Sequence, residues 1–199
     1  MHPCGHRWRR LRGRSVGIDN EQVALVVLGY PQLGPGDLEC IEGFRNEHDM
    51  LYRGVVNAHF TLVFPTEALS ADALVAHVRK CALELDARPI DFVLRSALVV
   101  ADHFADAWHV FLVPDEGNSR FIKLHDRLYQ GPIAHELRLD ISYIPHLGIA
   151  SNADSAICKA LADDLNGMNL AIQGQISELT ISDYDGTSVH DLARAILGE

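Results

Sequence analysis

Two histidines stand at matching places in this 199-residue sequence. His59 lies in "NAHFTLVFP" (57–65) and His146 lies in "YIPHLGIAS" (143–151), 87 positions further on. Each is followed by alternating large apolar residues and then by a break, a pattern typical of a buried strand. Because an imidazole exchanges protons near neutral pH, two of them facing one ligand would supply a general acid and a general base.

The alternation of side chains along a strand predicts which way each histidine faces. In the first segment the histidine shares its face with two other side chains and opposes three bulky ones: His59, Thr61 and Val63 against Phe60, Leu62 and Phe64. In the second segment the two faces are His146, Gly148 and Ala150 against Leu147 and Ile149. Each strand would bury its bulky face under helices and turn its histidine toward a common groove.

Hydrophobic periodicity and turn residues predict the order of strands and helices. The predicted strands cover 22–30, 58–64, 91–102, 107–114, 145–150 and 172–186. The predicted helices cover 36–50, 70–85, about 118–136 and 152–167, and Ser70 caps the second of them. For "SVHDLARAILG" (188–198) the apolar spacing favours a helix, whereas the internal repeat of the chain favours a strand.

That repeat indicates an internal duplication. "SALVVAD" ends at Asp102 and "SELTISD" ends at Asp183, and His109 precedes His190 by the same offset of 81 residues. Strand, helix, strand and strand thus occur twice, and a histidine strand begins each copy. We interpret His109 and His190 as markers of the fold that lie on strands distant from the groove.

The motif H-x-T-x on one strand and H-x-[ST]-x on its partner resembles the two-histidine (2H) phosphoesterase superfamily. That superfamily includes 2′-5′ RNA ligase-like proteins and cyclic phosphodiesterases. "HFTL" (59–62) fits the first motif fully, and "HLGI" (146–149), preceded by Pro145, fits the second except at Gly148. With the repeat, the resemblance implies an α+β, bilobal, pseudo-twofold fold in which two antiparallel sheets flank a central groove and helices lie outside.

The resemblance also implies roles for particular residues. His59 and His146 would be the catalytic acid–base pair, and the sequence leaves open which is the acid and which is the base. Thr61 would bind the phosphate of a 2′,3′-cyclic or related 2′-linked phosphodiester. No metal ion or other cofactor is implied, because the imidazoles and hydroxyls would handle proton transfer and charge.

One position departs from the family pattern. Gly148 supplies no hydroxyl where the family has threonine or serine, and Ser151 is a candidate to replace that phosphate contact. A glycine inside a strand also often marks a close approach, here of a bulkier ligand. Tyr143, three residues before His146, is a candidate to contact the substrate by stacking on a base.

The histidines and cysteines do not form a pattern typical of a metal site. Of the 11 histidines, four that crowd together in sequence lack the spacing and carboxylate partners of familiar sites: His103, His109, His125 and His135. The cysteines form no C-x-x-C pair, and all but the first lie in apolar-periodic segments: Cys4, Cys40, Cys81 and Cys158. Buried thiols suit a reducing cytoplasm, so we predict a cytoplasmic protein without a metal site.

The charge is unevenly distributed along the chain. The net charge is −10, yet residues 1–15 contain five arginines and no acidic residue, so the remainder carries −15. We predict a basic flexible leader over 1–18, which is not a secretory signal, and a single bilobal domain over 19–199. An acidic body repels polyanions, so extended tracking along nucleic acid is not expected.

These features predict metal-independent hydrolysis or transfer at a 2′,3′-cyclic or 2′-5′ phosphodiester of a nucleotide or RNA end. Two alternatives stay open. One is a module that binds a nucleotide or RNA end without turnover, which Gly148 favours; the other is a hydrolase of a non-nucleotide cyclic phosphate. We expect a monomer whose ligand is a small phosphodiester, with no membrane partner.

Overall fold

Two antiparallel sheets form the fold in a computed structural model, which describes residues 23–84, 88–102 and 105–198. In this part of the chain the strands are β1 (Ala24–Gly29), β2 (Gln32–Leu33), β3 (Phe60–Thr66), β4 (Ile90–Ala101), β5 (Trp108–Glu116), β6 (Leu147–Asn152), β7 (Ile172–Ile176), β8 (Glu178–Tyr184) and β9 (Val189–Ile196). The helices are α1 (Pro35–His48), α2 (Ala71–Glu84), α3 (Asn118–Leu128) and α4 (Ser155–Gly167), with a 3₁₀ helix over Gly131–Glu136. The predicted leader, 1–18, lies outside the described residues.

Each sheet has a histidine strand at one edge. The strand orders are β3-β1-β8-β9 and β2-β7-β4-β5-β6, and neighbouring strands are antiparallel. His59 immediately precedes β3, and His146 immediately precedes β6. Helix α2 packs against β8 and β9, and α4 packs against β4, β5 and β6. The predicted α+β architecture of two antiparallel sheets is confirmed.

The internal repeat holds for one strand of each hairpin and fails for the other. Counted from the histidine strand, β4 and β8 both lie third in their sheets, as the offset of 81 residues requires. Their hairpin partners differ, because β5 lies second, beside β6, whereas β9 lies at the far edge. In the four-stranded sheet β1 already occupies the second place, so β9 can pair only on the outer side of β8.

Two predicted elements have different ends in the structure. The strand predicted over 172–186 is divided at Ser177, and its halves β7 and β8 belong to different sheets, so this segment crosses between the lobes. The helix predicted over 118–136 ends at Leu128, since Gly131 has a φ of +63° and is followed by Pro132, neither of which continues an α-helix. The ambiguous segment 188–198 contains a strand, β9.

Aromatic packing anchors the first histidine strand. The ring of Phe60, the residue after His59, stacks on Phe121 with centroids 4.2 Å apart and meets Phe92 edge-on at 5.1 Å. All three rings are essentially inaccessible to solvent. Aromatic pairs of this kind add about 0.5–1.5 kcal/mol to the stabilisation from burial. Packing of Phe60 in the core therefore holds the start of β3 in place.

Two further features concern the chain as a whole. Cys81 and Cys158 are buried, as their sequence context predicts, but Cys40 is exposed on α1. No helix in the described ranges has the length and hydropathy needed to cross a lipid bilayer.

Gly174 on β7 lies where the chain has no room for a side chain. A Cβ there would lie less than 3 Å from the ring of Phe92 and 2.6 Å from Leu33 Cδ2. Because Phe92 packs against Phe60, the ring cannot shift without disturbing the support of β3. We therefore expect Gly174→Ala to lower the free energy of unfolding by about 1–3 kcal/mol in urea denaturation.

Gly43 on α1 provides the matched control. It is exposed, and an added Cβ would meet nothing within 4 Å. Gly43→Ala is expected to raise the free energy of unfolding by about 0.5–1 kcal/mol, because alanine favours a helix interior. A destabilisation by both substitutions, or by neither, would contradict this description of the packing.

Candidate active site

His59 and His146 line one groove between the two sheets. The groove has a volume of about 590 Å³, and both imidazoles are half-buried in its wall. Thr61 and Gly148, two residues after each histidine, also line it. The structure thus brings together the two motifs that the sequence places 87 residues apart.

The two imidazoles are held by the same kind of hydrogen bond. Nδ1 of His59 lies 2.8 Å from the carbonyl oxygen of Asn57, and Nδ1 of His146 lies 2.6 Å from that of Ile144. A carbonyl oxygen only accepts, so the Nδ1 of each ring carries a proton and donates it. Within the described residues neither Nε2 has a protein partner, which leaves Nε2 as the nitrogen that can exchange a proton with a ligand.

The surroundings lower the pKa of both histidines. Burial lowers the pKa of His59; the Asn57 carbonyl, Asp49 and Glu42 oppose the shift, and the charge of Arg45 adds to it. Burial lowers the pKa of His146 to about 4, the Ile144 carbonyl opposes this, and the charges of His59 and His109 lower it further. Both shifts favour the neutral rings near pH 7, and an anion between the rings would favour their protonation.

A bulge in β3 changes which side chains face the groove. Leu28 of β1 pairs with Thr61, but Val27 pairs with Val63, so β3 has one extra residue between these pairs. Beyond the bulge the alternation is reversed. Val63, predicted on the histidine's face, is fully buried, and Phe64, predicted on the core face, lines the groove. The predicted positions of His59 and Thr61, before the bulge, agree with the structure.

Side chains satisfy the outer backbone groups of this edge strand. The Tyr143 hydroxyl donates to the Thr61 carbonyl over 3.1 Å, and His125 Nδ1 donates to the Leu62 carbonyl over 3.0 Å. The Phe64 amide donates to the Tyr129 hydroxyl over 2.9 Å. These bonds fix the backbone that carries the Thr61 hydroxyl.

Tyr143 consequently has a different place from the one predicted. Its ring stacks on His125 with centroids 3.6 Å apart and planes inclined by 4°, and burial raises the pKa of its hydroxyl. The ring face is occupied by protein and the hydroxyl is bonded to Thr61. The expectation that Tyr143 stacks on a substrate base is therefore wrong; it holds β3 in place.

The groove wall at Gly148, in the second motif, has room for a larger side chain. A Cβ on Gly148 would meet nothing closer than Phe111 Cε1 at 4.0 Å, so packing does not require glycine here. Ser151, predicted to replace the missing hydroxyl, does not reach the groove. Its Oγ is fully buried, donates to Asp49 Oδ1 over 2.7 Å and accepts from the Leu51 amide over 2.9 Å. That prediction is wrong, and no hydroxyl stands at this position.

A buried ionic network on α1, which sequence reasoning missed, joins the two lobes. Arg45 is 2% exposed, donates to the Val56 carbonyl over 2.7 Å and pairs with Glu42 and Asp49. Glu42 accepts from the Ala58 amide over 2.8 Å, directly before His59, while Asp49 accepts from Ser151 of β6. The spacing i, i+3, i+7 places Glu42, Arg45 and Asp49 on one helix face, but in sequence such a stripe is typical of solvent-exposed charge.

His109 was predicted to lie far from the groove, and the structure contradicts this. It lines the groove, is 8% exposed, and its Nε2 lies 2.6 Å from Asp102 Oδ2. The reason is the place of β5 beside β6, which the repeat did not predict. His190, on the edge strand β9, is exposed. In the described part of the chain, no three histidine, cysteine or carboxylate side chains cluster as metal ligands would.

Solved structures of other proteins share this fold. E. coli LigT complexed with 3′-AMP superposes with a TM-score of 0.57 and 19% identity, over 89% of this chain and 99% of that one. A phosphoesterase structure gives 0.55 and 18%, over 89% and 99%. Kluyveromyces marxianus Usb1 gives 0.52 and 13%, over 87% and 99%. A comparison with curated proteins found no match.

A family model covers most of the chain. The model for the 2′-5′ RNA ligase superfamily matches residues 34–188, a range that includes both histidine motifs, α1 and the Asp102–His109 pair. The structural neighbours are below 20% identical and show the fold alone. The resemblance inferred from the two histidine motifs is confirmed: this chain belongs to the 2′-5′ RNA ligase superfamily.

Proposed function

We propose that this protein is a metal-independent phosphodiesterase, or a 2′-5′ RNA ligase-like enzyme, acting on 2′,3′-cyclic or 2′-5′ phosphodiesters of nucleotides or RNA ends. The proposal rests on one observation: two imidazoles lie in the same groove and are held by the same kind of hydrogen bond. His59 and His146 line one groove, and each has its Nδ1 bonded to the carbonyl two residues earlier. Simple binding does not require two titratable rings arranged in this way.

The proposed chemistry is acid–base catalysis at phosphorus. A 2′,3′-cyclic phosphate would lie between the two Nε2 atoms, with the Thr61 hydroxyl donating to a phosphate oxygen. One imidazole takes a proton from water as its oxygen bonds to phosphorus, and the other donates a proton to the ribose oxygen as the P–O bond breaks. The product is a nucleoside monophosphate with one free ribose hydroxyl. With a 5′-hydroxyl of a second ribose in place of water, the same steps would form a 2′-5′ diester as the bond from phosphorus to the 3′-oxygen breaks and that oxygen is protonated.

The size of the groove and the fold's known ligands support a nucleotide-sized substrate. A volume of about 590 Å³ falls in the range of small-molecule sites. E. coli LigT, which shares this fold, has been crystallised with 3′-AMP, with ATP and with phosphate. With its acidic body, this protein would bind a nucleotide or one RNA end as a monomer and would not track along nucleic acid.

A non-catalytic binding module is the second candidate. Gly148 favours it, because the second motif lacks the hydroxyl that would donate to the phosphate. Loss of one hydrogen bond to a charged group costs roughly 1.5–3 kcal/mol, which would weaken an enzyme by about ten- to a hundredfold without abolishing turnover.

Turnover assays with histidine variants distinguish the two candidates. Nucleoside 2′,3′-cyclic phosphates and 2′-5′-linked dinucleotides are incubated with the protein in a chelator. We expect His59→Ala and His146→Ala each to lower kcat by about 10²–10⁴, the usual contribution of a general acid or base. His135→Ala, at a side chain that is 68% exposed, is the control and should leave kcat unchanged. Tight binding without turnover in the unchanged protein would instead establish the binding module.

Restoring the family hydroxyl should raise activity. We expect Gly148→Thr to increase cyclic phosphodiesterase kcat/KM by about ten- to a hundredfold, since the wall has room and a hydroxyl can donate to the phosphate. Gly148→Val, with the same shape and no hydroxyl, is the matched control and should give no increase. Equal or lower activity in Gly148→Thr would argue that the site handles something other than an RNA-type phosphate.

The lowered histidine pKa values predict an acidic optimum for kcat/KM. This parameter reports the free enzyme, and it is largest between the pKa values of the base, which must be neutral, and of the acid, which must be protonated. Both pKa values lie below 6.5, that of His146 at about 4, so kcat/KM should peak below pH 6.5 and fall as the pH rises. The anionic substrate favours protonated imidazoles, so kcat should peak at a higher pH than kcat/KM. An increase of kcat/KM from pH 6 to pH 8 would contradict this.

A further inference from the structure

Four aromatic rings form a row along the second-lobe wall of the groove. His146 stacks on Phe111 with centroids 3.5 Å apart and planes inclined by 14°. Phe111 stacks on His109 at 5.5 Å, and His109 stacks on Tyr52 at 5.9 Å. The two-histidine chemistry uses only the first of these rings and assigns nothing to the others.

A carboxylate fixes the ring of His109. Its Nε2 donates to Asp102 over 2.6 Å, and the two side chains are 10% and 4% exposed. Asp102 directly follows β4, His109 lies on β5, and Asp102 also accepts from the Ala105 amide. This bond assigns the proton to Nε2 and fixes the orientation of the imidazole between Tyr52 and Phe111. Nδ1 of His109 has no partner among the described residues.

Among the described residues, no ring stacks on the histidine of the first lobe, where Tyr30 meets His59 edge-on at 6.3 Å. There β1 pairs Leu28 with Thr61, and Val26 lines the groove next to it. In the second lobe β5 pairs Phe111 with Gly148, and His109 takes the place that corresponds to Val26. The environments of the two imidazoles therefore differ in a way that their own motifs do not show.

We propose that Phe111, His109 and Asp102 form a positioning unit for His146, which keeps this imidazole deprotonated as the general base and leaves His59 as the general acid. The inference rests on the proposed function. Phe111 and the Ile144 carbonyl fix the plane and rotation of the His146 ring. When His109 is protonated, with Asp102 as the partner of that charge, it disfavours a second proton on His146.

The distances give the size of this electrostatic effect. The two imidazole centres are at most about 9 Å apart, because 3.5 Å separates His146 from Phe111 and 5.5 Å separates Phe111 from His109. Coulomb's law with an effective dielectric constant between roughly 20 and 80 converts this separation into a shift of about 0.3–1.4 pH units. The charge of His109 is among the causes that lower the pKa of His146.

Other ionisable groups face the same space and belong to every element around it. They are Arg45, Asp49 and Tyr52 from α1 and the loop after it, His59 before β3, Asp102 after β4, Tyr129 after α3, Glu136 and Arg138 from the 3₁₀ helix and the segment after it, and Tyr184 at the end of β8. On the His59 side the nearby charges have mixed signs, since Arg45 lowers the pKa of His59 while Asp49 and Glu42 raise it. His146 instead faces two imidazoles, and both disfavour its protonation.

NMR titration of His146 tests the unit without reference to activity. The Cε1–H signals of the free protein are followed with pH in the unchanged protein and in His109→Gln, which keeps an amide donor for Asp102 and removes the positive charge. We expect the His146 midpoint to rise by about 0.3–1.4 pH units. His109→Phe keeps a ring in the row and should also raise the His146 midpoint. It replaces His109→Gln in this test if that variant does not fold. His190→Gln, on the edge strand, is the control and should cause no shift; an unchanged midpoint in the folded His109 variants would overturn the inference.

The pH dependence of kcat/KM tests the assignment of base and acid. If His146 is the base, His109→Gln moves the acidic limb of the profile to higher pH and leaves the alkaline limb in place. A shift of the alkaline limb would make His146 the acid and overturn the assignment. Phe111→Leu, which removes the stacking ring, should lower kcat, and Phe111→Tyr should restore it.

The two readouts separate failure of this inference from failure of the proposed function. Turnover with an unmoved His146 titration overturns the positioning unit alone. A moved titration in a protein that turns over no phosphodiester overturns the proposed function, and with it the catalytic role of the unit.

Discussion

One hydrogen bond at each of His59 and His146, from Nδ1 to the carbonyl two residues earlier, determines what the groove can do. Its net contribution to stability is modest, about 0.5–1.5 kcal/mol. Its effect on the ring is larger, because a flipped ring would break the bond and leave the carbonyl unsatisfied in a half-buried wall, at about 1–3 kcal/mol. The bond selects one tautomer and one orientation, and it does so identically at His59 and His146. Two similar Nε2 atoms are thereby left available in one groove.

The scaffold around these bonds consists of edge strands held by side chains. An edge strand has backbone groups without a strand partner, and here β3 has Tyr143, His125 and Tyr129 bonded to it. Helix α1 completes the frame, because its Arg45 network reaches both the loop before His59 and Ser151 of β6. Removing one partner from such a buried network typically costs several kcal/mol, so the relative position of the two motifs is strongly determined.

Local pattern predicted the parts of the site that local geometry controls. Period-two alternation was sufficient to place His59, Thr61, His146 and Gly148 in one groove, since these residues lie at the start of regular strands. It failed beyond the bulge in β3, because a bulge depends on how β1 pairs and leaves no mark in the sequence of β3. The duplication predicted the two sheets, yet it could not show that β5 and β9 pair on opposite sides of their hairpin partners.

The remaining misjudged residues were all decided by long-range contacts. Ser151 turns its hydroxyl to Asp49, 102 positions away in sequence, and Tyr143 turns its hydroxyl to Thr61, 82 positions away. His109 enters the groove because of strand order alone. For each of these side chains the residue type was compatible with a ligand contact, and only the packing of the folded chain determined its partner.

The central claim is that both imidazoles act on one ligand, and a single titration tests it most directly. A nucleoside 2′-monophosphate, a product of the proposed reaction, is added while the NMR signals of His59 and His146 are followed. Both signals should shift with one common Kd, and the titration midpoints of both rings should rise because one phosphate group lies against both. Signals that respond with different Kd values, or a response confined to one of the two histidines, would contradict a shared site.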